Sequence, residues 1–320
     1  MAVWRSFIAA SVLFAGGAFA QDWPAKPIRV VIPSGAGGLG DVVMRTIAPA
    51  VEAKLGQRFL VEAKPGAGGD IGASEIARAA PDGYSVMLAP TAVYAVLPHV
   101  QKNVHYDPIR DFTPITMVVD APVLLLVNAG LPVRSLKELA AYTETHPGKL
   151  NIGSAGFGTP AHILGEFFGK MHGGVLHVPY SSGPQVALAL QTNEVQALFA
   201  TLAGIRPQLA AGSVRLITVL TRERMPEFPN VSTAFESGFP EIGEVCSGWG
   251  MVAPRGTDAR IVERLAAEIR TALADPVAKK RFAEAGQLTV GSSPAEFGQF
   301  IRSESARWKQ MVDQASIKPE

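Results

Sequence analysis

A single cysteine, Cys246, stands in 320 residues, which excludes an internal disulfide and any C-x-x-C pair. No H-E-x-x-H occurs, and the six histidines (His99, His105, His146, His162, His172 and His177) are scattered without a metal-ligand spacing, so no metal site is expected. No serine sits in G-x-S-x-G, which removes the nucleophile elbow of an α/β-hydrolase. The stretch GEFFGK at 165–170 is one residue short of a phosphate-binding loop and lacks its Ser or Thr, so it reads as helix. An excess of one charge is missing too. Lys and Arg number 29 against 28 Asp and Glu, a formal net charge of +1, which leaves no basic stripe for nucleic acid and no polybasic membrane patch. Partners are therefore small molecules or proteins.

Long hydrophobic runs are absent except at the start. Residues 1–20, MAVWRSFIAASVLFAGGAFA, carry one Arg, then an apolar run from Phe7, then Ala18-Phe19-Ala20 before a polar Gln21. That run of about 14 residues is short of the roughly 20 that span a bilayer. It matches the layout of a secretory signal peptide cleaved near Ala20. Export without disulfides points to a bacterial periplasm. The remaining chain of about 300 residues exceeds what one core usually fills, so two lobes are expected. A composition of 48% hydrophobic residues can supply both cores.

Short β-branched runs alternate with helix-sized segments from Ile28 onward, the pattern of an α/β fold with mostly parallel sheets flanked by helices. From Asp258 helix formers dominate, with one weak strand at 288–290, so this helical tail is expected to pack on one lobe. Three strand-to-helix junctions share a chemistry: PSGAGGLGD at 33–41, KPGAGGDIG at 64–72 and AGFGTPAH at 155–162. Each leads glycine-rich backbone into a helix N-terminus, where free N–H groups and the helix dipole favour an anion. In open α/β sheets ligands lie beyond the carboxyl ends of the strands, so junctions from two lobes can face one another across a cleft.

Residues 35–40 also fit G-x-G-x-x-G, with Glu62 about 20 residues on, as in a dinucleotide-binding loop. Pro33 and Ser34 intervene between strand and first glycine, and an exported chain does not normally meet cytoplasmic NAD. A secreted Rossmann-like oxidoreductase is thus the alternative reading.

The pieces in order are distinctive. They run from Trp23-Pro24-Ala25-Lys26-Pro27-Ile28-Arg29 through VVIP, Gly37-Gly38-x-x-Asp41, VEAKPGAGGDIG at 61–72 and Ala80-Pro81-Asp82-Gly83-Tyr84. Asp111-Phe112-Thr113-Pro114, HPGKLNIGSAGFGTPAH at 146–162, HVPYSSG at 177–183, GWGMVAPRGT at 248–257 and SPAEFGQFIRSESARWKQMV at 293–312 complete the series. Together they resemble the extracytoplasmic solute-binding proteins of tripartite tricarboxylate transporters, the Bordetella uptake gene or Bug family. The resemblance implies a two-lobed periplasmic binding protein of the Venus-flytrap kind, a receptor and not an enzyme, needing no cofactor and acting as a monomer. It implies a small organic acid as ligand and membrane permease subunits as partners; a sensor presenting its ligand to a signalling domain reads the same in sequence. Lobe 1 would be 22–122 plus 222–320, and lobe 2 would be 123–221.

Carried onto this chain, the resemblance places ligand contacts at Ser34, Gly35, Ala36, Gly37 and Gly38, with Asp41 following, and at Thr91 and Ala92. The second lobe would add Ser154, Gly156, Phe157, Gly158 and Thr159, and the turn of Tyr180, Ser181 and Ser182. Two departures stand out: Pro33-Ser34-Gly35-Ala36 replaces a Pro-Phe-Pro-Pro run, and Ser181-Ser182 stands where Lys is common. Thr159, ahead of Pro160, is expected to cap the following helix and to donate its hydroxyl to the ligand.

Overall fold

The structure, a computed structural model, describes residues 23–245 and 247–319. The expected leader and Cys246 lie outside the described residues. In chain order the first elements are β1 (Ile28–Ile32), α1 (Leu39–Leu55), β2 (Phe59–Ala63), α2 (Asp70–Ala77), β3 (Ser85–Pro90), α3 (Thr91–Ala95), α4 (Leu97–Val100) and β4 (Phe112–Asp120). There follow β5 (Val123–Asn128), α5 (Leu136–Thr145), β6 (Asn151–Ser154), α6 (Pro160–Met171), β7 (Leu176–Pro179), α7 (Gly183–Gln191), β8 (Ala197–Thr201), α8 (Leu202–Ala210) and β9 (Val214–Val219). The chain ends with β10 (Trp249–Pro254), α9 (Ala259–Ala274), α10 (Pro276–Glu284), β11 (Leu288–Thr289) and α11 (Pro294–Ala315).

These elements form two lobes, each around one sheet. The strand orders are β11-β4-β10-β3-β1-β2 and β7-β6-β8-β5-β9. The expected parallel strands make up part of each sheet: β1 pairs in parallel with β2 and β3, and β6 with β7 and β8. The remainder is antiparallel, so both sheets are mixed. The cause lies in the crossovers. Strand β5 enters the second sheet directly from β4 through Ala121 and Pro122, and β10 returns from β9 to the first sheet, each running against its neighbours. The two passages are tied together, Leu220 N–H donating to Val123 O at 2.8 Å and Ser247 N–H to Ala121 O at 3.2 Å.

Every residue of β5 and of β10 is buried, because helices cover both faces of the sheets at these central strands. Their runs VLLLVN and WGMVAP accordingly show no polar alternation.

The last helix departs from expectation. Its start is fixed by Pro294 and a capping box between Ser293 and Glu296. Phe297 and Ile301 then pack with Tyr94 and Val252 of the first lobe. Trp308, Met311 and Val312 share a cluster with Leu125, Phe167 and Phe168 of the second. The helical tail therefore packs on both lobes, because α11 is 22 residues long and carries an apolar stripe along its whole length.

Candidate functional site

The β6–α6 loop is tied together by hydrogen bonds among its own residues and the start of α6. Gly156 and Gly158 adopt φ of 124° and 71°, which L side chains rarely take, and these two turns fold the loop over the end of β6. Thr159 is the N-cap of α6, with Pro160 in the first turn, as the sequence predicts. Its Oγ accepts from His162 N at 3.3 Å and donates to Gly156 O at 2.7 Å. The hydroxyl proton is directed to Gly156 O within the loop, so donation to a ligand would exchange that bond for another.

Ser154 is fully buried, and its Oγ lies 2.9 Å from Gly156 O, 3.1 Å from the Gly156 N–H that donates to it, and 2.6 Å from His177 Nε2. The Ser154–His177 pair is a hydrogen bond whose direction follows the tautomer of the ring. Gly158 N–H donates to His162 Nδ1 at 3.1 Å, so Nδ1 serves as the acceptor in this loop. The two imidazoles lie 4.2 Å apart between ring centres, and the exposed Phe157 ring covers both edge-on at 5.2 Å. Burial, helped by the neighbouring His162, pushes the His177 pKa down to about 4. Glu166 completes the group, its carboxyl raised above the usual range by burial.

This loop separates two cavities. The larger, about 670 Å³, is lined from the first lobe by Ala67, Gly68, Ala92 and α4, and from the second by Phe157, Gly158, Thr159 and Pro160. His162, Glu166 and, at the chain's end, Lys318 complete its polar lining. The smaller, about 190 Å³, lies against Thr159, Gly183 and Thr201, near the starts of α6, α7 and α8, with Ser247 from the return crossover. Thr159 is common to both.

The other residues expected at the site are placed as follows. Ser34 is half-buried, and Gly35, Ala36, Gly37 and Gly38 are exposed in the β1–α1 loop, where the Asp41 carboxylate accepts from Gly37 N–H. That loop lines neither cavity. Thr91 is buried with its N–H donated to Gly248 O at 2.9 Å, while Ala92 reaches the larger cavity. Tyr180 packs against the apolar cluster that holds Val186 and Leu190 of α7. Ser181 donates its hydroxyl to Gln185 at 2.7 Å, and Ser182 is the N-cap residue of α7. Sequence reasoning leaves out Glu166, Ser247 and Thr201, whose surroundings carry no ligand signal, and it passes over the side chain of His162 although the junction at 155–162 ends on it. Ala67 and Gly68 belong to the second glycine-rich junction, which the anion argument marks.

The state of His177 sets a testable dependence. Because the unfolded ring binds a proton near pH 6.5 and the folded ring near 4, the protein loses stability as pH falls through that window. The full shift is worth about 3 kcal/mol, cut to roughly 1–2 kcal/mol by the solvent that reaches a half-exposed ring. Ser154, His162 and Glu166 face the ring. Urea midpoints at pH 7.5 and 5 should differ more for the parent than for His177→Gln; equal differences would refute the assignment.

Two α/β lobes joined by paired crossovers, with glycine-rich helix N-termini at a cleft between them, define a solute-binding protein of the periplasmic type. The match to the tripartite tricarboxylate transporter family receptor covers residues 43–317. Protein BugT of Bordetella pertussis is 32% identical over 302 residues, 93% of this chain and 92% of that protein. Among solved structures, R. palustris Rpa4515 with adipate is 31% identical with a TM-score of 0.79, covering 93% of this chain and 100% of the other. The periplasmic binding protein BugD is 30% identical with a TM-score of 0.76 and the same coverage. The chain belongs to the tripartite tricarboxylate transporter receptor family, whose members are solute-binding receptors.

Proposed function

We propose that the protein captures a small dicarboxylate in the interlobe cleft and delivers it to the membrane subunits of a tripartite tricarboxylate-type permease. The observation that carries this reading is the cavity of about 670 Å³ into which Ala67, Gly68 and Ala92 project from one lobe and the α6 N-terminus from the other. Its volume suits a small ligand, and backbone N–H groups at a helix start favour an anion. Lys318 adds a cation to the lining. The adipate in the R. palustris relative supports a diacid. The lobes are taken as 22–122 plus 222–320 and 123–221, and the β1–α1 loop, with Ser34 to Gly38, as the part that swings toward the second lobe when it closes. A dinucleotide at that loop finds no support, because Glu62, which would hold the ribose, is paired with Arg29 at 2.9 Å.

Thermal-shift screening of adipate, shorter diacids and hydroxy acids should find a ligand that stabilises the protein without being turned over. At about 100 times the dissociation constant the gain is roughly 2.7 kcal/mol. X-ray scattering should show a smaller radius of gyration at saturation; an unchanged radius would argue against lobe closure, and no stabilising acid would refute the ligand class. Export carries its own check. Mass spectrometry of periplasmic extract should find the mature chain starting within a few residues of Gln21, and a chain retaining Met1 there would refute cleavage.

A further inference from the structure

Two donor groups of α6 meet a third from β7 beside the β6–α6 loop. One ligand atom from each of His162, Glu166 and His177 lies within 4.8 Å of the other two. We infer that these residues form a site for a divalent transition-metal ion of the zinc class, two imidazoles and one carboxylate, with the remaining coordination position open to the large cavity.

Several observations converge on this site. His162 and Glu166 stand four residues apart on α6, and so share one helix face. His177 comes from β7, whose register sets it beside Ile152 of β6. The half-buried carboxylate of Glu166 has the two imidazoles as its near polar neighbours. Ser154 holds Nε2 of His177, as the outer partners of metal-bound imidazoles do, so Nδ1 is the nitrogen left for a metal. Phe157 walls both rings from solvent. Zinc holds its donors at about 2.0–2.1 Å, so side-chain rotation must draw the three groups together by about 1 Å on binding.

Occupation of the site acts on the loop. Gly158 N–H donates to His162 Nδ1, and a metal removes that acceptor whichever nitrogen it takes. Bound at Nδ1 it consumes the lone pair; bound at Nε2 it moves the ring proton to Nδ1. In both cases the Gly158 amide is released beside the cavity that Gly158 lines. The link to ligand capture rests on the carboxylate reading of the cleft, whereas the metal site does not.

The test uses untagged mature protein titrated with Co²⁺, whose visible bands report low-coordinate N/O ligation, followed by displacement with Zn²⁺. The expected result is one ion per chain and a Gly158 amide resonance that shifts on adding Zn²⁺, with no carboxylate present. Glu166→Gln, close in shape to the parent, and His177→Asn should each weaken Zn²⁺ binding at least tenfold, while His146→Gln, at an exposed position, should not. A Co²⁺ spectrum of the free aquo ion, or Zn²⁺ affinity unchanged in both variants, would overturn the site. Melting curves separate lost ligation from lost fold, and the Gly158 shift in the parent decides the matter if a variant unfolds. Should no organic acid bind while the Co²⁺ bands appear, the carboxylate reading fails and the metal site stands.

Discussion

Gly250→Ala should destabilise the protein by about 3 kcal/mol or more, read as a drop in the urea midpoint with an unchanged m-value. Gly250 lies in β10, buried, between β3 and β4, and a Cβ there would fall 2.0 Å from the Phe297 ring. The backbone is not the cause, since Gly250 has no positive φ; the demand is for space. Phe297 cannot give way freely. It is fully buried and meets Tyr94 edge-on at 5.8 Å, and the Tyr94 hydroxyl donates to Gly250 O at 2.9 Å. A methyl group therefore pushes one ring into another and pulls the second from its hydrogen bond. Shrinking the neighbour should restore part of the loss, so Gly250→Ala with Phe297→Leu should be less destabilised than the sum of the two single changes. Strict additivity would show that the crowding lies elsewhere.

Trp308→Ala should cost about 3–5 kcal/mol, in the range for emptying a buried aromatic site. The indole is 2% exposed and lies among Phe167, Phe168, Met311 and Val312. Its Nε1 donates to Glu304 Oε2 at 3.1 Å, and Glu304 is itself nearly buried, with Arg307 at 3.2 Å as its other partner. Burial raises the Glu304 pKa, against the pull of Arg307 and Trp308. Trp308→Phe separates the two contributions, keeping most of the volume and losing the donor, and should cost about 1–3 kcal/mol. Equal losses in both variants would mean that the hydrogen bond, not the volume, dominates.

The architecture was legible because strand runs and glycine-rich junctions are local signals, and the motif series gave their order. Thr159 as a cap could be read from Pro160 beside it. The short helices α3 and α4 could not: TAVYAVLPHV is rich in residues that suit strands, and burial of Val93, Tyr94, Val96 and Val100 decides its form. The antiparallel half of each sheet was hidden too, since it depends on which lobe a strand enters. At the site, the glycine-rich loops were visible, but the use of their hydroxyls was not. Ser154, Thr159 and Ser181 look like ligand donors in sequence, and the fold gives each of them a local hydrogen-bond partner that no spacing announces. His162 and His177 meet only through the β6–β7 register, which no local spacing encodes.

The apolar cluster of the second lobe also takes in Ala95, Val96 and Val100 of the first, besides the end of α11. Separating the lobes would thus expose surface that belongs to both. Thermodynamically the two halves are one cooperative unit: neither can melt without stripping the other, so partial unfolding confined to one lobe is suppressed. A closing motion that keeps this shared surface buried, a rotation about it and not a parting from it, therefore costs least.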